Sequence, residues 1–368
     1  MRRTFIFLIL SLIFIVAPCM AQDIDPYEVP SDARSAALGE AFAAVANTPA
    51  ALFYNVAGLA QQRGVAVQYG SRIFPVAAPA TNSVYSSGSA VFGSQSLGSF
   101  EVCYSMHSYN DNYNANLPRN PSVTNDTIPY DETTYDMTAG YAHSISPSMD
   151  AGIGFGYTHR NINGINASAE WLDFGIRYHE SLLKSTIPDE FSFGFSLNHI
   201  GSPIGYDDSL NSEEDLPRSF RAGIAWRIAQ PDTNLLSNEF LSAMISGQYK
   251  NVLNEPNTSS KGYWSLGIEV GAWDVLYFRY GLQYRPFESV YSYADNGQAN
   301  VGGGLKLPVH KLLGSTTPIY ITADYASVFF LNTGHEDIWT VGIHIDKDFI
   351  PQAPPSNDQQ RDQQGDEQ

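Results

Sequence analysis

The chain has 368 residues, with 20 Lys plus Arg against 38 Asp plus Glu, a formal net charge of −18. That balance disfavours nucleic acid as a partner, because binding a polyanion depends on neutralising phosphates with basic side chains. Only 16% of residues are charged while 13% are aromatic, with 22 Tyr, 20 Phe and 30 Gly; a soluble domain usually carries about 25% charged residues, so the composition points away from an ordinary water-facing surface.

The first residues, Met1-Arg2-Arg3, are basic. An apolar run from Phe5 to Val16 follows, then Ala17-Pro18-Cys19-Met20-Ala21-Gln22. This order reads as a signal peptide over residues 1–21, with cleavage expected after Ala21. The apolar run is too short for a spanning helix, and no later stretch reaches the roughly 18 apolar residues that one needs. Cys103 is then the only cysteine of the mature chain, which excludes an intrachain disulfide framework.

Residues 22–62 are rich in Ala and other small residues. Ser31-Asp32 is placed to cap a helix running toward Ala46. Asn47-Thr48-Pro49 ends that helix, and Asn55-Val56-Ala57-Gly58 reads as a tight turn into the first strand. Leu38, Phe42, Leu52 and Phe53 need a place to be buried. The lumen of a barrel formed by the following residues would supply it, since a wide barrel needs either water or a plug.

Residues 63–350 alternate with period two, the signature of strands with one apolar face. Phe191, Phe193, Phe195 and Leu197 alternate with Ser192, Gly194 and Ser196; Leu172, Phe174, Ile176 and Tyr178 alternate with Asp173, Gly175 and Arg177. Leu276, Phe278, Tyr280, Leu282 and Tyr284, then Ile319, Ile321, Ala323 and Tyr325, and finally Trp339, Val341, Ile343 and Ile345 repeat the pattern. A soluble sandwich alternates in the same way with its apolar face inward. Here the polar face carries many glycines and charges of both signs (Glu101, Arg177, Arg221, Arg227, Glu269, Arg279, Asp324), which suits a crowded lumen. The reading is an all-β, transmembrane, antiparallel up-and-down barrel of about 14 strands. The strands are expected near 64–76, 83–95, 98–109, 132–146, 149–162, 168–181, 190–201, 217–228, 240–252, 261–272, 276–286, 296–307, 317–330 and 337–349.

Barrels of this kind have short periplasmic turns and long outer loops. With both termini periplasmic, the connections near 110–131, 202–216 and 287–295 fall on the outer side and are long, while Ser96-Leu97, Pro147-Ser148 and Trp273-Asp274 are tight inner turns. Two outer loops are polar: one holds Asn110, Asp111, Asn112 and Asn114, the other Asp207, Asp208, Glu213, Glu214 and Asp215. They read as solvated loops, with cation or partner contact as the alternative; their spacing is not that of a calcium loop. Residues 351–368 are polar and low in complexity, a tail expected to be disordered in the periplasm.

No catalytic set can be assembled. Ser181-Leu182-Leu183-Lys184 matches an S-x-x-K motif without its partner motifs. Gly152, Gly154 and Gly156 lack the following helix of a dinucleotide site and read as lumen positions that leave room for a plug. The dispersed His residues suggest no metal, and no cofactor is expected. Arg177, Arg221, Arg279 and Arg285 would face the lumen. They would either bind a carboxylate or, preferably, form an internal ion-pair network with Asp173, Glu269 and Asp324.

The segment before the strands carries a resemblance. Ala33-Arg34-Ser35, Leu38-Gly39-Glu40-Ala41, Ala44-Val45-Ala46 and Asn55-Val56-Ala57-Gly58-Leu59 resemble the N-terminal signature of the PorV/PorQ family, within the FadL-like group of fourteen-stranded outer-membrane barrels. Leu38 stands where that family usually has Met, Asn47-Thr48 where it has acidic residues, and Val56 where it has proline. The resemblance implies an N-terminal hatch over residues 22–62, with Arg34, Gly39, Asn55, Ala57 and Gly58 as its motif. It implies two functional readings. One is passage of a hydrophobic or amphipathic small molecule across the outer membrane. The other is a plugged platform of type IX secretion whose outer loops hold secretion components or secreted cargo. In both, membrane lipid is a partner and the protein is not an enzyme.

Overall fold

The computed structural model describes residues 32–75, 82–114, 127–183, 187–207, 212–231, 239–254, 262–284, 297–330 and 334–347. The expected signal peptide, the C-terminal tail, the 287–295 connection, Lys184, Asp208 and Arg285 lie outside the described residues.

Fourteen strands form the wall: β1 Gly64–Pro75, β2 Asn82–Ser94, β3 Gly98–Asn114, β4 Thr127–Ser146, β5 Met149–Ile162, β6 Ile165–Glu180, β7 Asp189–Gly201, β8 Ser219–Pro231, β9 Glu239–Val252, β10 Gly262–Ala272, β11 Leu276–Tyr284, β12 Gly297–Pro308, β13 Ile319–Phe330 and β14 Gly334–Ile345. Each pairs antiparallel with its neighbour in sequence. The first and last strands also pair, from Val65↔Ile345 to Ile73↔Asp337. The sheet is therefore closed, as a backbone surrounded by hydrocarbon must be, because open edges would leave amide and carbonyl groups without partners. Among the described residues no helix is long and apolar enough to cross a membrane.

The alternation sorts side chains as expected. Leu172, Phe174, Ile176 and Tyr178 of β6 are exposed on the outside, while Asp173 and Arg177 between them are buried inside. Tyr69, Phe155, Phe278, Ile321 and Trp339 extend the outer apolar surface around the wall. The inner face carries Glu101, Ser105, Ser196, Arg221, Lys250, Glu269 and Arg279, all buried.

Three expectations are corrected. Of the polar loop expected over 110–131, residues 110–114 and 127–131 are strand, since β3 and β4 stay paired out to Asn114↔Thr127; Asn110, Asp111, Asn112 and Asn114 thus belong to β3, and residues 115–126 lie outside the described residues. In the 202–216 connection, Ile204–Tyr206 pairs with Glu213–Glu214, and Ile204 and Leu216 pack with Ala167, Ala169 and Trp171 of β6. Glu214 there accepts from Arg160 Nη1 at 3.0 Å and from the Tyr206 hydroxyl at 2.6 Å, while Glu213, Glu214 and Asp215 stay exposed as a solvated loop's residues should. Finally, the helix expected from Asp32 toward Ala46 stops after one turn. Asp32 does cap it, accepting from the Ser35 amide at 2.7 Å, but α1 spans only Ala33–Ala37. Gly39 and Glu40 follow with φ near +62°, a conformation that ends a right-handed helix.

The outward apolar surface yields the first expected outcome. Phe174→Arg, on the outer face of β6, should destabilise the barrel by ~2–4 kcal/mol if that position lies near the bilayer midplane, as measured by equilibrium unfolding in lipid vesicles.

Candidate functional site

Residues 32–62 are built from short pieces. After α1 come tight turns, then α2 Ala51–Tyr54 and a 3-10 helix Val56–Gln61. Nearly every residue of the stretch is buried. Its apolar side chains (Leu38, Phe42, Val45, Leu52, Tyr54, Val56, Leu59) form the largest buried cluster among the described residues, together with inward Ala66, Val91, Cys103, Ala142, Ala225 and Met244 of the wall.

The polar contacts run around the wall. The Ala33 amide donates to Thr340 Oγ1 of β14 at 2.8 Å, and Asn300 Nδ2 of β12 donates to the Ala36 carbonyl at 2.6 Å. Gln248 of β9 accepts from the Ala43 amide at 2.9 Å. Arg177 Nε of β6 and Ser192 Oγ of β7 both donate to the Ala44 carbonyl, at 2.8 and 3.0 Å. Ser196 Oγ of β7 reaches the Tyr54 carbonyl at 2.7 Å, and Gln61 Nε2 donates to Asp150 Oδ2 of β5 at 2.7 Å. A chain without regular structure leaves many backbone groups unpaired, and inside a barrel the wall's side chains have to satisfy them.

The motif residues each have a physical task here. Asn55 accepts from the Ala57 amide at 3.2 Å and so caps the 3-10 helix; its Nδ2 donates to the carbonyls of Ala43 at 2.8 Å and Ile176 at 3.0 Å. The expected tight turn at residues 55–58 is thus a helix start. Gly39 lies so close to β11 that a Cβ would sit 2.7 Å from the Leu282 carbonyl oxygen, and the facing Gly281 would place one 2.0 Å from the Gly39 nitrogen. Gly58 is equally enclosed by the Ala46 carbonyl. Gly152 meets Ala57 and Val56, as a lumen glycine leaving room should. The space at Gly156, by contrast, is filled by the Trp171 ring and that at Gly154 by Asp173.

Arg34 is the main charged anchor. Its Nε and Nη2 grip both oxygens of Glu269 on β10, at 2.8 and 2.9 Å. Arg279 on β11 donates to the same carboxylate at 2.5 Å and to Asp324 on β13 at 2.6 Å. The sequence placed Arg34 and Glu269 in separate groups; the structure joins them, across 235 positions of chain. Bidentate pairing of this kind is both strong and directional.

Of the residues expected to line the lumen, Arg279 joins Glu269 and Asp324. Arg177 instead lies 2.5 Å from Glu190 and 3.6 Å from Asp150. Asp173 accepts from its neighbour Trp171 at 3.2 Å and from the His199 amide at 2.7 Å rather than from an arginine. Arg221 has a hydrogen bond to Asn198 at 3.1 Å and lies over the Tyr54 ring at 5.4 Å. Burial, aided by Glu40, pushes the Tyr54 phenol well above its ordinary value, so Tyr54 offers Arg221 a neutral ring face and not an anion. Two further wall pairs, Arg72–Glu336 at 2.5 Å and Arg160–Glu132 at 2.7 Å, escaped the sequence reading.

Two spaces flank the segment. At the end of the barrel where β1 begins and β14 ends, a cavity of about 440 Å³ is bordered by Arg34, Gln61, Glu269, Lys306, Asp324 and His344. Toward the other end is a space of about 30 Å³, bordered by Leu52, Phe53, Tyr85, Trp171, Leu216 and Arg221. No residue borders both; residues 32–62 contribute to each.

Removing the shared carboxylate gives a sharp expectation. Glu269→Ala leaves two buried guanidinium groups without their common partner and should cost ~3–5 kcal/mol. Arg34→Ala should cost less, because Glu269 keeps Arg279. Denaturant unfolding, with limited proteolysis at residues 32–62, separates the two.

No family model matches the chain, and no curated protein matches it. Solved structures do. The Pseudomonas putida toluene transporter TodX has a TM-score of 0.52 at 11% identity, covering 86% of this chain and 98% of that one. The Ralstonia pickettii toluene transporter TbuX has a TM-score of 0.50 at 11% identity, with 86% and 98% covered. A Pseudomonas aeruginosa FadL homologue has a TM-score of 0.50 at 11% identity, with 90% and 100% covered. At that identity the likeness is one of fold, and the fold of this chain is the closed fourteen-stranded antiparallel barrel of the FadL-like transporters.

Proposed function

We propose that the protein is a bacterial outer-membrane barrel that passes a hydrophobic or amphipathic small molecule, with residues 32–62 as a hatch between its two sides. The observation that carries this is the pair of separate spaces, one on each side of a segment wedged inside the wall. The far space mixes apolar Leu52, Phe53 and Trp171 with Asp136, Asp173 and Arg221, and at about 30 Å³ it would have to widen to admit a cargo; the near one is charged and polar. Joining them requires the segment to shift. The fold neighbours from Pseudomonas putida and Ralstonia pickettii are toluene transporters, which supports passage of a small apolar molecule over a platform for secreted cargo.

The hatch is held by side-chain hydrogen bonds and by the Arg34–Glu269 pair, while its own regular structure is slight. Such an element can move as a piece once its wall contacts break, because short helices contribute little stability alone. Arg34, Gly39, Asn55, Ala57 and Gly58 are the residues that fix its closed position; Arg177, Arg279 and Glu269 are their counterparts on the wall.

In planar bilayers, the chain lacking residues 22–62 should show a conductance several-fold above that of the full chain, and Glu269→Gln should open more often than wild type. Equal conductance for the full and shortened chains would overturn the hatch. Uptake of radiolabelled toluene into vesicles that is no faster with the full chain than without protein would overturn the proposed cargo class.

A further inference from the structure

At the end of the barrel where β1 begins and β14 ends, the turns carry large apolar side chains into the open. Leu313 and Leu312, at 74% and 67% exposure, are the two most exposed large apolar side chains among the described residues. They belong to α3 Val309–Leu313, between β12 and β13. That helix is firmly mounted. The Ile319 amide donates to His310 Nδ1 at 3.1 Å, the His310 ring meets Tyr320 edge-on at 5.1 Å, and Gly314 closes the helix with φ +66°. The mounting leaves Lys311, Leu312 and Leu313 exposed. Leu97 between β2 and β3, Ile145 beside the β4–β5 turn, Leu182 between β6 and β7, and Trp273 between β10 and β11 are exposed at the same end.

We propose that these turns are seated in the lipid leaflet at that end, with α3 as its main anchor and Lys311 directed at lipid phosphate. Three observations carry this. The exposed apolar residues are spread around the rim, turn after turn; a protein partner covers one sector, whereas a leaflet covers a ring. They continue the lipid-facing surface, since outward Leu276, Ile321 and Ile343 lie just beyond them on β11, β13 and β14. And the chemistry fits the water–lipid boundary. Trp is enriched there, and a lysine stem lies along apolar surface with its charge reaching the headgroups. Exposed apolar patches of this extent need such a cover.

The test is depth measurement by electron paramagnetic resonance on the full chain in vesicles of phosphatidylethanolamine and phosphatidylglycerol. A nitroxide is attached at Leu313→Cys in a Cys103→Ser background. Leu97→Cys, on a separate turn, repeats the measurement should the first variant fold poorly. Ile321→Cys serves as the lipid reference and Glu213→Cys as the water reference. The ratio of oxygen to nickel-chelate collisions at 313 and 97 should exceed that at 213 several-fold and approach that at 321. A ratio equal to that at 213 overturns the proposal. If the label is then restricted only in native membranes, the surface belongs to a protein partner.

Discussion

The pairing of β1 with β14 is the contact on which the rest of the molecule depends. It closes the sheet, and closure creates an inside. Every strand then has one apolar face outward and one face in a lumen, and period-two alternation is the pattern that serves both. A barrel of fourteen strands is too wide for its own side chains to fill. The wall therefore needs something within it, and residues 32–62 occupy that place through contacts with the inner faces of β5, β6, β7, β9, β12 and β14.

What occupies the lumen is held in a way that an ordinary core is not. The apolar half of the contact is alanine-rich and shallow, and the polar half is backbone on one side and side chain on the other. Wall glycines let the two backbones approach, most closely at Gly281 against Gly39 and at Gly194 against the Ala43 carbonyl. A two-sided ion pair forms where Arg34 and Arg279 share Glu269. Each contact is modest in net energy. Together they fix one position.

The wall was legible in the sequence because its rule is local: each residue's side follows from the residue before it. The strand boundaries at β5, β7 and β9 emerge within a residue of expectation for that reason. Residues 32–62 were less legible. Asp32 was recognisable as a cap, yet the length of its helix is set by how Gly39 meets Leu282 across the lumen, and no local signal carries that. The Arg34–Glu269 pair is likewise invisible to spacing. Asp173 misled because alternation gives the face a side chain points to but not its partner. Trp171 shares its face two residues away, and the chain opposite bulges at His199, whose φ is +57°. Arg285, assigned to the same lumen set, lies outside the described residues.

The seam between the first and last strands has a further consequence for how the molecule comes to be. The Ala33 amide bonds to Thr340, 307 positions later, and Ala36 is held by Asn300. These partners exist only once the C-terminal strands are present, and β14 is also the strand that shuts the ring. If the ring shut first, the segment would have to be drawn into a finished cylinder past a rim of buried charges. Assembly around the segment avoids that. The N-terminal stretch then acts as a mandrel, a form about which the sheet is wrapped, and by chain separation its bond to Thr340 is slower to make than the strand seam beside it.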